Sequence, residues 1–450
     1  MADEPIPALL PRGAGHQFLI YGDSCSGVPG ALHEQTFAAV NAVVRRLAPA
    51  PEFILFPGDE VIGLTPDPDV LRAQWRHWLN VETGWLDRQR TPMWHSTGNH
   101  TAYDEMSEAV FRDVLGMPRN GPPGQEGLSY WVRRGDLLLV VVHTLWTGLG
   151  GEGHVETDWL DATLNAHADA RHKIVLGHHP VFPINGFAGS CQREIAHEDR
   201  ARFWDILVKA GVLAYVCSHI LAFDVQVHRG VLQLCTAGAG TAHRMPEGVE
   251  YLHGVQVALD AEGLRYQVLD TEGLVREGLE WPPKPPNEAD WRVLAAGAQD
   301  AGFSGPTEAF VEWRCTGRTA PEARAPAQTF FSAHAADALA PVWVGLRGVR
   351  QTLTVIVGRQ PGRSPLYWLG PDLAPDEAFD LHIGFHPGMG PGGILYRDHD
   401  DQRWTSCSGA SATGIERLAW PGRWSIGQGQ AGLSDRPFAG PGLSVAFRTR

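Results

Sequence analysis

This chain lacks several features that mark common protein classes. It has no apolar stretch of about 18 residues, so no membrane-spanning helix is predicted. It also has no run of lysine or arginine. Its formal net charge is −14, which argues against polymeric nucleic acid as a partner because proteins that bind it show a basic patch. The six cysteines form no CxxC pair, and residues 1–7 lack the basic and apolar regions of a signal peptide. These absences predict a cytoplasmic chain with free thiols and no membrane association.

Apolar residues, glycine and proline are abundant instead. The chain is 43% hydrophobic and 20% charged, which is enough for a sizeable core and unlike a disordered protein. A length of 450 residues exceeds one ordinary domain and indicates two or three. The 52 glycines and 33 prolines indicate many turns and β-rich segments.

Residues 1–275 alternate short apolar runs with amphipathic stretches, which is typical of a layered α/β domain. Buried strands are predicted at residues 18–21, 53–56, 137–142, 173–176 and 212–216. Apolar residues recur at helical spacing in three segments, which begin at Phe37, Trp159 and Phe203. Residues 231–236, 255–259 and 264–269 are predicted as further strands.

A proline-rich segment divides the chain. Residues 276–290 contain Trp281-Pro-Pro-Lys-Pro-Pro286 and are predicted to be a linker, because proline removes backbone donors and fixes φ. Residues 291–450 show almost no helical periodicity. Their strand-like runs are separated by Gly, Pro and Asp turns, which predicts an all-β sandwich.

Polar motifs follow the predicted strands of the first domain. In chain order they are GD with Asp23, GD with Asp59, GNH with Asn99 and His100, GHHP with His178, and SH with His219. Since ligands of open α/β sheets bind at the carboxyl ends of strands, these five loops are predicted to converge on one site. Singly, each motif has an ordinary explanation, because a Gly-Asp pair is usually a turn and a histidine after a strand usually makes a structural hydrogen bond.

In this order the motifs resemble those of the metallophosphoesterase family, which includes calcineurin-like and purple-acid-phosphatase-like enzymes. The resemblance covers residues 15–270, and GNH and GHHP are its most specific parts. It implies a layered αββα sandwich that holds one or two divalent transition metal ions (iron, manganese or zinc). It also implies hydrolysis of a small-molecule phosphoester.

The resemblance also implies roles for individual residues. Asp23 matches a ligand of the first metal, and Asp59 matches the aspartate that bridges both metals. The set for the second metal is matched by Asp59, Asn99, His178 and His219. His100 matches the residue that approaches the leaving group, so His100 and Asp59 are the predicted catalytic residues.

Four positions depart from the family pattern. Cys25 and Leu221 stand where the family has two histidines, and both histidines belong to the metal held by Asp23. Ser218 replaces a glycine, and Thr101 replaces a residue that is usually acidic. The pattern predicts one retained metal site beside a first site that is either rebuilt or empty.

Cys25 allows two interpretations. As a thiolate it would replace imidazole as a metal ligand and favour iron or zinc. As a neutral thiol it would be a small buried apolar group, and the first site would hold no metal. Leu221 has no donor atom, so a rebuilt site would lack a ligand unless Asp224 or His228 supplied one.

Other residues near the motifs have weaker claims. His143 follows a predicted strand and Thr101 follows the GNH motif, and both are predicted to contact substrate. His95 and His179 adjoin motif residues and are expected to point to the opposite face.

Residues 291–450 resemble a laminin-G/concanavalin-like jelly roll. The resemblance is carried by the sequence pattern of four segments, residues 379–385, 392–397, 424–427 and 436–440. Such domains often bind sugars or mediate assembly, so glycan binding or self-association is an expectation for this part of the chain.

The sequence therefore predicts metal-dependent hydrolysis of a phosphoester at an altered metal site. A bound metal would lower the pKa of water and neutralise charge on the phosphoryl oxygens. Two alternatives remain open at this point. One is a diverged metalloenzyme that performs other chemistry on a small metabolite, and the other is a catalytically silent scaffold whose second domain binds a partner.

Overall fold

Four six-stranded sheets account for most of the strands that the structure describes. The computed structural model describes residues 4–151, 153–184, 194–195, 197–241, 251–284, 290–297, 310–321, 327–333, 342–358, 364–387, 389, 393–409, 424–428 and 437–449. The chain divides into two units, Met1–Val225 with Val231–Pro282, and Gln226–Gly230 with Pro283–Arg450.

The described strands up to Trp281 are β1 (Ile6–Pro7), β2 (Gly15–Ile20), β3 (Leu47–Ala48), β4 (Ile54–Phe56), β5 (Met93–His95), β6 (Tyr130–Arg134), β7 (Leu137–Val141), β8 (His172–Leu176), β9 (Ala214–Cys217), β10 (Phe223–His228), β11 (Val231–Thr236), β12 (His253–Asp260), β13 (Gly263–Asp270) and β14 (Val275–Trp281). The described helices are α1 (Leu32–Val44), α2 (Pro68–His77), α3 (Glu105–Leu115), α4 (Thr157–Ala166) and α5 (His197–Lys209), and a π-helical turn (Trp78–Glu82) follows α2.

Parallel strands lie inside both sheets of this part. The first sheet has the order β14-β13-β12-β2-β4-β5, and β2, β4 and β5 are parallel neighbours. The second has the order β10-β11-β9-β8-β7-β6, and β7, β8, β9 and β11 run parallel. The alternation of strands and helices that the sequence predicts is therefore confirmed.

Local sequence explains where the helices begin and end. At α2, the Asp67 side chain accepts hydrogen bonds from two backbone N–H groups and Pro68 occupies the first turn, where its missing donor costs nothing. At α3, Asp104 and Ser107 form a capping box, and Gly116 ends the helix in the left-handed conformation.

Helices cover the outer face of the first sheet. The side chains of Phe37 on α1, Trp75 on α2 and Phe111 on α3 are buried in one cluster with Ile54 and Phe56 of β4. Burying each of these apolar side chains stabilises the fold by roughly 1.5–3 kcal/mol.

The two sheets of this unit face each other, and a helix covers the second one. Phe223 of β10 meets Tyr266 of β13, with ring centroids 5.7 Å apart. On the far side of the second sheet, Phe203 of α5 packs against Tyr215 of β9 at 5.2 Å. These contacts give a layered helix–sheet–sheet–helix order, as the resemblance noted in the sequence implies.

The predicted linker begins later than expected. Residues 276–281 belong to β14, which pairs with β13 and buries Leu279 and Trp281. Their apolar side chains hold the strand in the sheet although prolines follow immediately. The part of the predicted linker that lies outside any strand therefore starts at Pro282, and residues 285–289 lie outside the described residues.

The C-terminal unit contains two antiparallel sheets. Its described strands are β15 (Arg292–Leu294), β16 (Val311–Arg318), β17 (Ala327–Ala333), β18 (Val342–Arg347), β19 (Thr352–Val357), β20 (Leu366–Asp372), β21 (Ala378–Phe385), β22 (Ile394–Asp398), β23 (Thr405–Ser406), β24 (Ser408–Gly409), β25 (Trp424–Ile426) and β26 (Ser444–Thr449). The sheet orders are β15-β26-β16-β21-β22-β23 and β24-β20-β19-β18-β17-β25.

An aromatic core lies between these two sheets. Trp313 of β16 stacks on Phe331 of β17 with ring centroids 4.1 Å apart, and Trp424 lies 4.7 Å from Trp313. The all-β prediction is confirmed for the described strands. The jelly-roll connectivity stays a prediction, and residues 410–423 and 429–436 lie outside the described part.

Two of the expectations drawn from absences can be compared with the structure. Within the described residues, no helix is both long and apolar enough to cross a membrane. Cysteines 25, 217, 235, 315 and 407 are free and buried, and Cys191 lies outside the described residues.

Candidate metal centre

The polar motifs of the sequence meet at the carboxyl ends of the parallel strands. Asp23, Asp59 and the Asn99–His100 pair follow β2, β4 and β5 of the first sheet. His178 and His219 follow β8 and β9 of the second sheet. The structure thus brings together side chains from both sheets, as the strand order requires.

His178 lies at the centre of this group. Its Nδ1 donates to the backbone carbonyl of Pro57 at 2.8 Å, which leaves the lone pair of Nε2 directed at the other side chains in the neutral tautomer. Nε2 lies 3.1 Å from Asn99 Oδ1, 3.3 Å from Asp59 Oδ2 and 3.2 Å from His219 Nδ1. Nitrogen and oxygen atoms that can donate lone pairs therefore surround one small space.

The Asp59 carboxylate contacts the backbone of the GNH loop. The other carboxylate oxygen, Oδ1, accepts a hydrogen bond from the His100 backbone N–H at 2.9 Å. A Cβ at Gly98 would lie 2.1 Å from Oδ1, and a Cβ at Gly58 would lie 2.6 Å from His178 Nδ1. The glycines of the GD and GNH motifs are therefore required by close approach, not only by turn geometry.

Asp23 is turned toward the loop that carries His219. Its Oδ2 accepts a hydrogen bond from the His219 backbone N–H at 2.9 Å and one from the Ser218 hydroxyl. The serine that replaces the family's glycine thus contacts the carboxylate directly. Asp23 fixes the position of His219 through these bonds.

Backbone strain is concentrated at this site. Four non-glycine residues adopt positive φ here: Asp23 (60°), Cys25 (40°), Asp59 (58°) and His219 (67°). Such conformations cost of order 1–3 kcal/mol each and persist where the surrounding structure enforces them, which is often at functional sites.

The charges of the site are strongly coupled. Burial raises the pKa of Asp23 to about 6. Burial acts to lower the pKa of His178, but the Asp59 carboxylate outweighs it and raises that pKa to about 9. Burial acts to raise the pKa of Asp59, but His178 and His100 hold it well below its usual range. The site therefore favours a positive charge at His178 Nε2.

Cys25 and His100 form another group with Asp59. The Cys25 sulfur, a carboxylate oxygen of Asp59 and a ring nitrogen of His100 all lie within 4.8 Å of one another. Burial, followed by the Asp59 and Asp23 carboxylates, raises the pKa of the Cys25 thiol well above its usual value. Without a nearby cation the thiol keeps its proton.

Thr101 and His143, whose substrate contacts stay a prediction, are both fully buried. Thr101 Oγ1 accepts a hydrogen bond from the Gly98 N–H at 2.9 Å and so stabilises the turn of the GNH motif. His143 Nδ1 lies 2.7 Å from Thr97 Oγ1, and its Nε2 lies 3.6 Å from Glu108.

His179 is placed differently from the sequence-based expectation. Its ring nitrogen lies within 4.8 Å of those of His178 and His219, so it faces the site. Neighbouring side chains alternate between opposite faces only within a strand, and β8 ends at Leu176, before the two histidines of the GHHP loop. His95 is buried and hydrogen-bonds Glu60 at 2.8 Å, away from these imidazoles.

No replacement for the missing histidine at Leu221 is found among the described residues. The groups of neighbouring metal-ligating side chains at this site include neither Asp224 nor His228. His228 lies 3.0 Å from the side chain of Gln226.

The donor set fits a divalent transition metal. Imidazole nitrogens with carboxylate and amide oxygens suit zinc, iron or manganese. His178 also has the backbone contact that typically orients a metal-binding imidazole. A cation would replace the positive charge that the site favours at His178.

Comparisons with known proteins give structural neighbours only. No protein-family model and no curated protein matches the chain. A purple acid phosphatase from yellow lupin (Lupinus luteus) seeds aligns with 60% of this chain and 54% of its own, at 14% identity and a TM-score of 0.45. The chain thus spans about half the length of that phosphatase.

Two further neighbours are similarly distant. A dimetal phosphatase from Danio rerio aligns with 57% of this chain and 96% of its own, at 13% identity and a TM-score of 0.42. GAP50, the anchor in the inner membrane complex of Plasmodium, aligns with 60% and 89%, at 15% identity and a TM-score of 0.41. A functional assignment must therefore rest on the side chains of the site.

Proposed function

We propose that this chain is a metal-dependent hydrolase of a small-molecule phosphoester. The observation that carries the proposal is the set of lone-pair atoms around His178 Nε2, at 3.1–3.3 Å from Asn99, His219 and Asp59. Such atoms repel one another unless a proton or a cation lies between them. The proposed cation ligands are Asp59, Asn99, His178 and His219.

A bound cation would neutralise negative charge on the phosphoryl oxygens and lower the pKa of a water molecule. Other residues of the chain hold the proposed ligands in position. Asp23 holds the loop of His219 through the His219 backbone N–H, and Pro57 fixes the tautomer of His178. In this proposal Asp23 positions a ligand, because one of its oxygens is already engaged by two donors.

His100 is the proposed general acid. Its Nδ1 donates to the Ile62 carbonyl at 2.8 Å, so the ring is fixed and Nε2 is the atom that can exchange a proton with a leaving oxygen. The side chain is half-buried, unlike the fully buried His178, and so remains accessible to a substrate.

The test combines metal content with hydrolysis in the purified full-length protein. We expect bound metal by elemental analysis and metal-dependent hydrolysis of an aryl phosphomonoester or phosphodiester. His178→Ala should lower metal affinity by well over the roughly 10–100-fold that follows loss of a partner behind a ligand, and should abolish hydrolysis. The matched control is His172→Ala, at the start of β8, the strand that His178 follows.

His100→Ala separates catalysis from metal binding. It should keep the cation at His178 but slow hydrolysis by about 10²–10⁴-fold, most strongly for alkyl leaving groups that need a proton. A wild-type protein without bound metal and without hydrolysis would overturn the proposal and favour the silent scaffold.

A further inference from the structure

A separate group of metal-ligating side chains lies in the C-terminal unit, on the paired strands β21 and β22. It consists of Asp380, His382 and His399, and a carboxylate oxygen and one ring nitrogen of each histidine lie within 4.8 Å of one another. Asp380 and His382 are two residues apart on β21 and therefore share a face of the sheet. His399 follows β22, and its backbone N–H donates to the Asp380 carbonyl at 3.0 Å. The strand pairing thus places three potential ligands together.

His382 is oriented in the way that is typical of a metal-binding imidazole. Its Nδ1 lies 2.6 Å from Oε1 of Glu312, a carboxylate that also accepts hydrogen bonds from Arg397 and Arg448. Because an ionised carboxylate cannot donate, the proton of the bond to Glu312 belongs to Nδ1 of His382. In the neutral tautomer Nε2 then presents a lone pair. A carboxylate on the opposite ring nitrogen commonly fixes the tautomer of a histidine that binds zinc.

Nε2 of His382 is buried and makes no hydrogen bond with any residue that the structure describes. Only 5% of the His382 side chain is exposed. Nε2 lies 3.7 Å from Asp380 Oδ1, which is too long for a hydrogen bond. The other oxygen, Oδ2, lies 3.8 Å from Nδ1 of His399. Since a buried polar atom without a partner is costly, a cation between these atoms would stabilise the arrangement.

Asp380 has a partner that orients its carboxylate. The Arg314 guanidinium donates to both carboxylate oxygens, and each oxygen keeps a further lone pair. Carboxylates that bind a metal are commonly held by such hydrogen bonds. The guanidinium also offsets the negative charge of Asp380, so the two imidazoles must supply much of the binding. Nitrogen ligands favour a transition metal over calcium or magnesium, which prefer oxygen ligands.

We propose that Asp380, His382 and His399 bind a divalent cation of the zinc type, separate from the cation at His178. The distances of 3.7 and 3.8 Å are close to the spacing of about 3.3 Å between two ligands of a tetrahedral zinc ion. The His399 side chain is 51% exposed and can therefore adjust. Three protein ligands leave one coordination position for water or for a donor atom of a bound molecule. All three ligands lie in the C-terminal unit, so the inference does not depend on the proposed function.

The first test is modification of histidines by diethyl pyrocarbonate in the full-length protein, after its metal has been removed. Mass spectrometry locates the modified residues. His399 should react in the absence of metal and should be protected by zinc, whereas magnesium at the same concentration should not protect it. His178→Ala should leave the zinc protection of His399 unchanged. Reactivity of His399 that zinc does not alter would overturn the inference and leave the proposed function standing.

The second test is the zinc content of variants after dialysis, measured by elemental analysis. His399→Asn alters an exposed side chain and should lower the bound zinc by one equivalent without changing the rate of phosphoester hydrolysis. The matched control is His386→Asn, which alters the histidine directly after β21 and should keep the full zinc content. Equal zinc contents in His399→Asn and the unaltered protein would overturn the inference. If His399→Asn fails to fold, the protection measured on the unaltered protein still decides.

Discussion

The candidate site depends on close approaches that leave no space for an additional atom. Gly98 lies so near Asp59 that a Cβ would stand 2.1 Å from the carboxylate and 2.6 Å from the Asp59 backbone nitrogen. The second of these atoms is backbone and cannot move aside like a flexible side chain. Small substitutions at such positions should therefore have large effects on the site.

Gly98→Ala should displace Asp59 and weaken metal binding, because Asp59 Oδ2 is one of the atoms that face His178 Nε2. We expect a loss of at least about tenfold in affinity, measured by competition with a chelator. Gly13→Ala is the control, since no atom lies within 4 Å of the Cβ it would add. Equal affinity in the two variants would contradict the close approach.

At the scale of elements, one sheet of the C-terminal unit contains a buried charge network. Glu312 on β16 accepts hydrogen bonds from Arg448 on β26 at 2.7–2.8 Å and from Arg397 on β22 at 2.8 Å. Its Oε1 also lies 2.6 Å from His382 on β21. One carboxylate thus joins four strands of the same sheet.

The network should make stability depend on pH. Burial acts to raise the pKa of Glu312, but His382 and Arg397 outweigh it and lower it to about 2. The folded pKa is below the ordinary 4.5, so the stabilisation is complete above pH 4.5 and is lost as pH falls toward 2. The corresponding loss in the free energy of unfolding is on the order of 3 kcal/mol.

Urea unfolding of the intact protein, followed by tryptophan fluorescence between pH 3 and 6, checks this effect. Glu312→Gln should lower the free energy of unfolding at pH 6 and should flatten its dependence on pH. An exposed acid in the same unit, changed by Asp400→Asn, is the control. A pH slope that Glu312→Gln leaves unchanged would show that the network does not contribute.

Much of the element order could be predicted from the sequence, because buried parallel strands are short apolar runs. Strands β4, β7 and β8 were recognisable in this way. β14 was not, because Val275, Arg276 and Gly278 are exposed and prolines follow it. Its position in the sheet depends on Leu279 and Trp281, which become buried only in the tertiary structure.

The site could be predicted in outline for a different reason. Residues directly after parallel strands must meet at one edge, so Asp59, Asn99 and His178 were identifiable from position alone. The burial of Thr101 and His143 and the orientation of His179 could not be, since all three lie in loops where no periodicity fixes side-chain direction. The neighbourhood of Cys25 and His100 likewise depends on how two loops pack.

At the scale of the whole molecule, the chain divides mainly after Pro282, although Gln226–Gly230 also belong to the C-terminal unit. We expect the parts before and after this point to fold separately. A chain of residues 1–282 should keep the metal at His178, because all the proposed ligands of that cation precede Pro282. Residues 283–450 should give a β-type circular dichroism spectrum and bind only the cation at His382. Elemental analysis and circular dichroism of both fragments provide the measurements.

Aggregation of the 1–282 fragment, or loss of its metal, would mean that the division does not mark independent folding. If the fragment instead hydrolyses a phosphoester at the full-length rate, the C-terminal unit has a role outside the reaction. Glycan binding and self-association are the roles proposed for it, and analytical ultracentrifugation with and without oligosaccharides would distinguish them.

The proposed ligands come from two different sheets, so a bound cation would also stabilise the packing of one sheet on the other. Asp59 and Asn99 follow strands of one sheet, and His178 and His219 follow strands of the other. A bound ion would therefore link the two sheets at one edge. Saturating metal at 100 times its dissociation constant should add about 2.7 kcal/mol to stability. Chelation should lower the melting temperature. It should also speed hydrogen exchange first at the carboxyl ends of β4 and β8, because the link between the sheets is lost there.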